Sequence, residues 1–492
     1  MCEKSPVGKS ISAEICILGA GPAGLAAAWE LAQRGLCDVV VLDRNASAGG
    51  LARTEAFEGS RFDVGPHRFF TANQEVLGLW RGLLGGELRP VRRLTRILYG
   101  ERFYRYPIRA ADALLRMGPI EAAAALLSYI RAKAHEDPFR AESFEQWVRA
   151  RFGQRLYRRF FEAYTEKVWG VPCSLIAAEW SAQRIKGLDL VELLRRALGW
   201  GSGRRPKTLS EEFDYPRRGA GAMYERMAEI LAARGVRFYF GVEVDRVERR
   251  QGRIETACAG GLRVEAGRYI SSLPVTRLLQ LMRPAPDADV LSACRSLLFR
   301  DHLCVDLCVE ASGLFADQWI YIHSPELCMA RVVNYRNFSP HMAARPGLAP
   351  LGVEYFTFGS PPGDLPRTTR RADALWHWPD TDVIQLAADE LEAARLIPRG
   401  SVFRGRVRRE RDAYPVYLLG YREPFERVRR AVAGLGNLYP VGRGGLFRYN
   451  NMDHAIYSGL LVARNLLAGE EIHDPYRINA DAEYQEAAAR ID

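Results

Sequence analysis

Residues 15–54 read ICILGAGPAGLAAAWELAQRGLCDVVVLDRNASAGGLART. An apolar run at residues 15–18 leads into GAGPAG at residues 19–24, and a helical pattern follows at once. A second apolar run, at residues 39–42, ends at Asp43. Strand, tight glycine turn, helix, strand and acid in this order predict a βαβ unit that binds a dinucleotide.

Each part of this unit has a physical task. Gly19 permits the tight turn, Gly21 lets the backbone approach a pyrophosphate, and Gly24 lets helix and strand pack closely. The first turn of the helix offers free N–H groups and a positive dipole to the phosphates. Asp43 lies where a carboxylate accepts hydrogen bonds from ribose hydroxyls. The predicted dinucleotide contacts in this stretch are Gly19, Gly21, Pro22, Ala23, Gly24, Asp43 and Arg44.

The composition is typical of a globular protein with two or three domains. The chain has 492 residues, of which 48% are hydrophobic and 26% are charged, with a formal net charge of +10. The charge agrees with solvated helix faces, with phosphate-bearing substrates or with an anionic membrane surface. No nucleic-acid-binding motif accompanies it, so nucleic acid is not an expected partner.

Cysteine usage and hydropathy predict a cytoplasmic protein. Nine cysteines occur without a CxxC pair, which favours reduced thiols and gives no support for a disulfide framework or a metal site. Residues 1–10 have no apolar core of the signal-peptide type. The longest apolar stretch, near residues 122–130, is too short to span a bilayer. Peripheral contact with a membrane remains open.

The fold class predicted is α/β, with a discontinuous dinucleotide-binding domain. Its parallel sheet with helices is expected from residues 11–95, 211–285 and 411–492, which end in a helix near residues 452–467. Residues 96–210 predict a mainly helical cap insertion over the substrate. Residues 286–410 alternate like the strands of an antiparallel substrate domain.

Three further segments indicate FAD. GGLART at residues 49–54, GVEVDRVE at residues 241–248 and GR at residues 442–443 resemble the FAD-binding group that includes amine oxidases and protoporphyrinogen oxidases. The resemblance implies a C-terminal flavin-contact segment and a helix N-terminus at the flavin. The cofactor contacts that it adds are Gly50, Leu51, Ala52, Arg53, Val244, Gly442, Arg443 and Met452, with Arg53 expected to neutralise the pyrophosphate.

Four motifs resemble the UDP-galactopyranose mutase branch of that superfamily. They are GPHRFFT at residues 65–71, YTEKVWG at residues 164–170, AYPVY at residues 413–417 and FRYNNMD at residues 447–453. Such mutases use N5 of reduced FAD as a nucleophile on a sugar and contract its ring without net redox change. The residues that the resemblance implies are His67, Arg443, Tyr449 and Asn451 for catalysis, and Tyr164, Lys167, Trp169, Arg184, Tyr335 and Tyr414 for binding a sugar nucleotide.

Two departures from the mutase pattern keep the reaction open. Asn451 stands where the mutases have an acid, and Phe70 stands where they have a second histidine. The sequence therefore supports two enzymes of the FAD-dependent oxidoreductase superfamily: a mutase-like isomerase, or an oxidase or dehydrogenase that acts on a C–H bond of a small molecule. A flavin-binding scaffold without activity is the third alternative. The oligomeric state stays open.

Overall fold

The computed structural model describes residues 8–106, 108, 116–180, 212–360 and 362–478. Nineteen strands lie within these ranges. In chain order they are β1 (Ser10–Leu18), β2 (Val39–Asp43), β3 (Thr54–Phe57), β4 (Ser60–Asp63), β5 (Leu88–Arg92), β6 (Thr95–Tyr99), β7 (Arg102–Arg105), β8 (Glu212–Pro216), β9 (Arg237–Phe240), β10 (Val244–Arg250), β11 (Arg253–Ala259), β12 (Leu262–Ser271), β13 (Met282–Arg283), β14 (Phe299–Glu310), β15 (Trp319–Ile322), β16 (Arg331–Asn334), β17 (Leu348–Thr357), β18 (Val402–Pro415) and β19 (Leu438–Pro440).

The α-helices of the described ranges alternate with these strands. They are α1 (Pro22–Gln33), α2 (Gln74–Leu84), α3 (Pro119–His135), α4 (Phe144–Tyr157), α5 (Ala163–Trp169), α6 (Gly221–Ala233), α7 (Val275–Gln280), α8 (Ala288–Ser296), α9 (Arg370–Ala374), α10 (Asp380–Ala393), α11 (Arg422–Ala433), α12 (Gly442–Gly445) and α13 (Met452–Ala468). A π-helical turn, Arg158–Glu162, joins α4 to α5.

The first sheet is built from the start, the middle and the end of the chain. Its order is β13-β10-β11-β12-β1-β2-β9, and β19 pairs with β12. The pairs β1/β2, β2/β9, β1/β12 and β12/β19 are parallel. Parallel strands must be covered on both faces, and β1 and β2 accordingly carry fully buried apolar runs. This is the predicted α/β class with a discontinuous sheet, which is parallel at its centre and antiparallel where β11 pairs with β10 and β12.

The second sheet is largely antiparallel and stands beside the first. Its order is β18-β14-β17-β16-β15-β6-β7. The long central pairs β14/β17 and β14/β18 are antiparallel throughout. The hairpin of β6 and β7 lies inside the range predicted for the helical insertion, yet it extends this sheet through a parallel pairing of β6 with β15. Helices α3, α4 and α5 then form the helical part of the insertion.

Close packing of α1 against α13 joins the two ends of the chain. A Cβ atom built on Gly459 in α13 would lie 2.1 Å from the carbonyl oxygen of Ala23 and 2.9 Å from the amide nitrogen of Ala27. The side of α1 that meets α13 is made of small buried residues. Because neither helix presents a large side chain at the crossing, their backbones come close enough to fix α13 over the glycine turn.

We predict that Gly459→Ala destabilises the fold by about 1–3 kcal/mol, because the added methyl group overlaps the backbone of α1. Gly82→Ala is the matched control: Gly82 lies in helix α2, and a Cβ atom there would have no neighbour within 4 Å, so alanine should be neutral or stabilising by up to about 1 kcal/mol. Denaturant unfolding measures both. Equal stability of the two variants would contradict this account of the α1–α13 contact.

Candidate active site

A cleft of about 810 Å³ runs along the carboxyl ends of the parallel strands. The cleft is lined by residues at the carboxyl ends of β1, β2, β12 and β19, namely Gly19, Asp43, Ser272 and Gly442. In open α/β sheets, ligands bind at this edge because loops and helix N-termini converge there. Of the predicted cofactor contacts, the cleft is lined by Gly19, Gly21, Pro22, Ala23, Asp43, Arg44, Gly50, Leu51, Ala52, Val244, Gly442, Arg443 and Met452.

The glycine turn leaves an open cradle in front of helix α1. Gly19 has a φ of +107°, and a Cβ there would lie 2.1 Å from Ser272 Oγ. Gly21 is the N-cap of α1, and a Cβ there would have only Gly50 Cα, at 3.8 Å, as a neighbour. Gly24 faces away from the cleft, since a Cβ there would lie 2.0 Å from the carbonyl oxygen of Gly19. A diphosphate fits against Gly21 because nothing but backbone stands beside it.

Asp43 is held in a fixed orientation at the end of β2. Its Oδ2 accepts a hydrogen bond of 2.7 Å from the Ala20 amide, and its Oδ1 accepts bonds of 2.7 and 2.9 Å from the amide and side chain of Asn45. Burial raises the pKa of Asp43, and these donors oppose the rise. The remaining lone pairs of the carboxylate are placed to accept from ribose hydroxyls.

Arg53 has different partners from those that the sequence predicted. Its guanidinium donates to Glu55 Oε1 at 2.7 Å, to the Gly50 carbonyl at 3.0 Å and to Glu410 Oε1. Only 7% of its side chain is exposed, and it does not line the cleft. The positive charge of Arg53 is thus used inside the protein, where it supports Glu410. The side chains that line the cleft at this point are Arg44 and Glu410.

The C-terminal segment contributes a further wall of the cleft. The guanidinium of Arg443 donates to the Asn450 carbonyl at 2.8 and 3.0 Å and to the Ala413 carbonyl at 3.1 Å. This clamps the loop before α13 to the end of β18. Asn451 is the N-cap of α13, and Met452 begins the helix at the cleft wall. The positive end of the α13 dipole therefore faces the cleft and favours negative charge there.

His67 lines the cleft beside Arg443. Its Nδ1 lies 3.0 Å from the Gly65 carbonyl oxygen, and the loop that carries it is tied to α13 by a 2.9 Å bond from Thr71 Oγ1 to Asp453 Oδ2. Burial, together with the charge of Arg443, lowers the pKa of His67 to about 4. At neutral pH the imidazole is therefore uncharged; its Nδ1–H donates to the Gly65 carbonyl, and Nε2 is left as an acceptor.

Three tyrosines and two arginines are grouped beside the cleft, which they reach through Arg443; we call them the tyrosine–arginine cluster. Its members are Tyr164, Arg331, Tyr414, Arg443 and Tyr449. Tyr414 and Tyr449 stack with centroids 5.4 Å apart, and the Arg443 guanidinium lies 4.8 and 4.9 Å from their rings. Burial raises the pKa of Tyr164 well above its ordinary value, while the charge of Arg331 opposes the rise. The structure thus joins helix α5, two strands of the second sheet and the C-terminal segment.

Arg331 was missed by the sequence reasoning, and only the sheet explains its place. It stands directly before VVNY, in register with Glu354 on the neighbouring strand. Its Nε donates to Glu354 Oε2, and His302 Nε2 lies 3.1 Å from Glu354 Oε1. Burial alone would raise the pKa of Glu354, but Arg331 and His302 outweigh it and lower the pKa to about 2. Arginine before an apolar strand is too common a pattern to signal this contact.

Three residues predicted to bind substrate make contacts inside the protein instead. Tyr335 is fully buried, and its hydroxyl donates to the Asp63 carbonyl at 2.8 Å. Trp169 is 1% exposed and lies against Trp180 and Tyr449. The Lys167 ammonium donates to three backbone carbonyls, those of Ile322, Ser324 and Met329, at 3.1, 2.5 and 3.3 Å. Arg184 lies outside the described residues.

Neither a cluster of metal ligands nor a membrane-spanning helix is found among the residues that the structure describes. Within those ranges, no group of three or more His, Cys, Asp or Glu side chains stands close enough to hold a metal ion. No helix of the same ranges is both long and apolar enough to cross a membrane.

Comparison with known proteins agrees with this geometry. Residues 22–467 match the family described as flavin containing amine oxidoreductase. The fold is similar to that of reduced UDP-galactopyranose mutase, with a TM-score of 0.80 at 21% identity over 95% of this chain and 99% of that chain. Cyclohexylamine oxidase from Brevibacterium oxydans IH-35A has a TM-score of 0.63 at 15% identity over 93% and 99%. Putrescine oxidase has a TM-score of 0.60 at 17% identity over 94% and 100%.

These similarities confirm the predicted superfamily and the predicted fold. At such identities the solved structures establish the fold and leave the substrate undecided. The matched family contains flavin, and the cleft has a diphosphate cradle at α1 and a second helix N-terminus at α13. FAD is therefore the cofactor, as the sequence predicted.

We predict that Gly21→Val abolishes FAD binding while the protein stays folded. A Cβ atom at Gly21 would have only Gly50 Cα, at the ordinary contact distance of 3.8 Å, as a neighbour, so the valine side chain would occupy the cleft where the diphosphate is expected to pass. Gly78→Val in α2, where a Cβ atom would have no neighbour within 4 Å, is the control and should retain flavin. The ratio of flavin to protein absorbance measures binding. Stoichiometric FAD in Gly21→Val would contradict the assignment of a diphosphate-binding cradle at Gly21.

We predict that His323 makes stability depend on pH. Its ring stacks on Tyr164 with centroids 4.6 Å apart, and burial, aided by the charge of Lys167, lowers its pKa to about 3. In the unfolded chain this histidine takes up a proton near pH 6.5, whereas in the folded protein its ring stays neutral until about pH 3. The stability that the neutral, buried ring provides is therefore complete above pH 6.5 and is lost as the pH falls towards 3. Between pH 7.5 and pH 5, the free energy of unfolding of His323→Phe should fall by about 2 kcal/mol less than that of the parent protein.

The control for this experiment is His135→Phe, at an exposed position on α3. Urea unfolding at the two pH values gives the free energies. If His323→Phe and His135→Phe lose the same stability on acidification, the buried imidazole is not the cause.

Proposed function

Since the chain belongs to the flavin-containing amine oxidoreductase family, we propose that this FAD-dependent enzyme acts on a sugar nucleotide or a related glycosyl substrate, using reduced FAD and changing the sugar ring without net oxidation. The observation that carries the proposal is the tyrosine–arginine cluster, which reaches the cofactor cleft through Arg443. Guanidinium groups and phenol hydroxyls are the donors that recognise a diphosphate, and flat rings stack on a base or a sugar.

The reaction would break the bond between the anomeric carbon and the diphosphate. The leaving diphosphate carries the electron pair, and the cluster supplies donors and positive charge to hold it until it returns to the same carbon. Reduced FAD, when bound, supplies a nucleophilic N5 and is regenerated unchanged. Ring contraction requires the sugar to close through a different hydroxyl, so the oxidation state of the substrate is conserved.

Other residues of the chain would orient the partners. His67, uncharged at neutral pH, would accept a hydrogen bond from a sugar hydroxyl at Nε2. The N-terminus of α13 would stabilise the negative charge of reduced flavin, since the helix dipole is positive there. Asn451, at the N-cap, would contribute an amide where the mutases have a carboxylate. The buried His302–Glu354–Arg331 arrangement would keep the guanidinium of Arg331 in place.

One observation favours the second candidate, an FAD oxidoreductase that removes hydrogen from a C–H bond of a small molecule. Arg331 shares its charge with Glu354, which is fully buried and ionised. The pair therefore offers a diphosphate less positive charge than a free arginine would. A neutral substrate enclosed by tyrosine rings would suit this arrangement.

The two candidates differ in what happens to the flavin. The holoenzyme is reduced anaerobically with dithionite and mixed with UDP-galactopyranose, and the product is separated by chromatography. The mutase-like reaction is supported if the reduced enzyme forms a furanose product while its flavin stays reduced, and if the oxidised enzyme forms no furanose. Bleaching of the oxidised flavin by an amine, an alcohol or an isoprenoid, without furanose formation, supports the oxidoreductase.

We predict that Tyr449→Phe raises the KM for the sugar nucleotide about 10-fold with a smaller change in kcat, because one hydrogen bond to a charged group is lost while the ring contacts remain. Tyr476→Phe, at a tyrosine that packs on Phe425, is the matched control. An unchanged KM in Tyr449→Phe would remove this hydroxyl from the binding site.

A further inference from the structure

Helix α3 presents an apolar stripe to solvent. Of the eleven large apolar side chains exposed in the described residues, five lie between residues 120 and 139. Ile120 is 84% exposed, Leu127 68%, Ile130 55% and Phe139 89%. An α-helix has 3.6 residues per turn, so positions 120, 127 and 130 share one face. This face is opposite to the one that packs on the protein.

The inner face of the same helix accounts for its folding. Ala125, Tyr129 and Ala132 are buried, and α3 packs against α4 through them. Helix α3 is therefore apolar on two sides, whereas a surface helix ordinarily has charged residues on its outer side. The outer stripe is not needed for the packing of α3, and its exposure is unfavourable unless another surface covers it.

Basic residues border the stripe. Arg131 and Lys133 are exposed on α3, and Arg116 and Arg140 are exposed at its two ends. The acidic residues nearby are held in ion pairs: Glu121 with Arg155 at 3.2 Å, Glu136 with Arg149 at 3.4 Å and Asp137 with Arg140 at 3.7 Å. The surface that remains combines large apolar side chains with positive charge.

We propose that the outer face of α3 and Phe139 bind the surface of an anionic lipid bilayer. Apolar side chains flanked by lysine and arginine are typical of helices that lie in the membrane interface. The stripe is one helix wide, while a stable protein interface takes about 20–30 residues from each partner. A bilayer needs no such area, because each side chain inserts separately between lipids.

The position of α3 gives this contact a consequence for the site. Helix α4 follows α3, and the π-helical turn leads from α4 to α5, which carries Tyr164. A bilayer on α3 would thus lie against the helical insertion that contributes to the tyrosine–arginine cluster. The binding itself is independent of the reaction that the enzyme performs, so it can be tested without turnover.

The test is flotation of the holoenzyme with vesicles of phosphatidylglycerol and phosphatidylcholine, compared with vesicles of phosphatidylcholine alone. We expect binding to the anionic vesicles, weakened by salt. Leu127→Glu combined with Ile130→Glu should weaken it about 10-fold or more, because charged side chains would replace the inserted apolar ones. Phe403→Glu with Ile472→Glu is the matched control, since it makes the same change of charge at two other exposed apolar positions.

The flavin spectrum of each variant shows whether it has folded. The proposal fails if the parent enzyme does not bind anionic vesicles at low salt, or if the control pair weakens binding as much as the α3 pair. It also fails if light scattering shows an oligomer that the α3 pair dissociates, because the stripe would then be a subunit interface.

Discussion

The contact between α1 and α13 is the constraint on which the rest of the structure depends. Gly459 allows the backbone of α13 to lie on Ala23 and Ala27 in the first half of α1. The glycine turn before α1 and the N-cap of α13 then face the same cleft. The cofactor cleft is therefore formed by both ends of the chain: the glycine turn near the N-terminus and helix α13 near the C-terminus.

Buried and partly buried ion pairs connect this arrangement to the second sheet. Asp306 on β14 binds Arg406, Arg406 binds Glu55, and Glu55 binds Arg53, at 2.9, 3.2 and 2.7 Å. Arg53 in turn holds Glu410 at the cleft wall. An unpaired buried charge is costly, so each member of this ion-pair chain fixes the next. The antiparallel sheet and the cofactor cleft are consequently positioned as one unit.

The members of the tyrosine–arginine cluster come from distant parts of the sequence. Tyr164 lies on α5, Arg331 on β16, Tyr414 on β18 and Tyr449 in the loop before α13. None of them makes a site within its own segment. Their meeting point is defined by the sheet register that sets Arg331 opposite Glu354 and by the clamp that Arg443 forms between Asn450 and Ala413.

The sequence by itself determined the cofactor and the fold class, because both rest on local rules. Glycines at fixed spacing, the acid that ends β2 and the helix that begins at Met452 are properties of short segments, and the structure has each of them. The tertiary structure alone decided how individual side chains are used. Arg53 pairs with Glu410, Tyr335 and Trp169 are buried, and Lys167 donates to backbone carbonyls. Arg331 joins the tyrosine–arginine cluster. Each of these outcomes depends on which residues from remote segments pack beside the side chain.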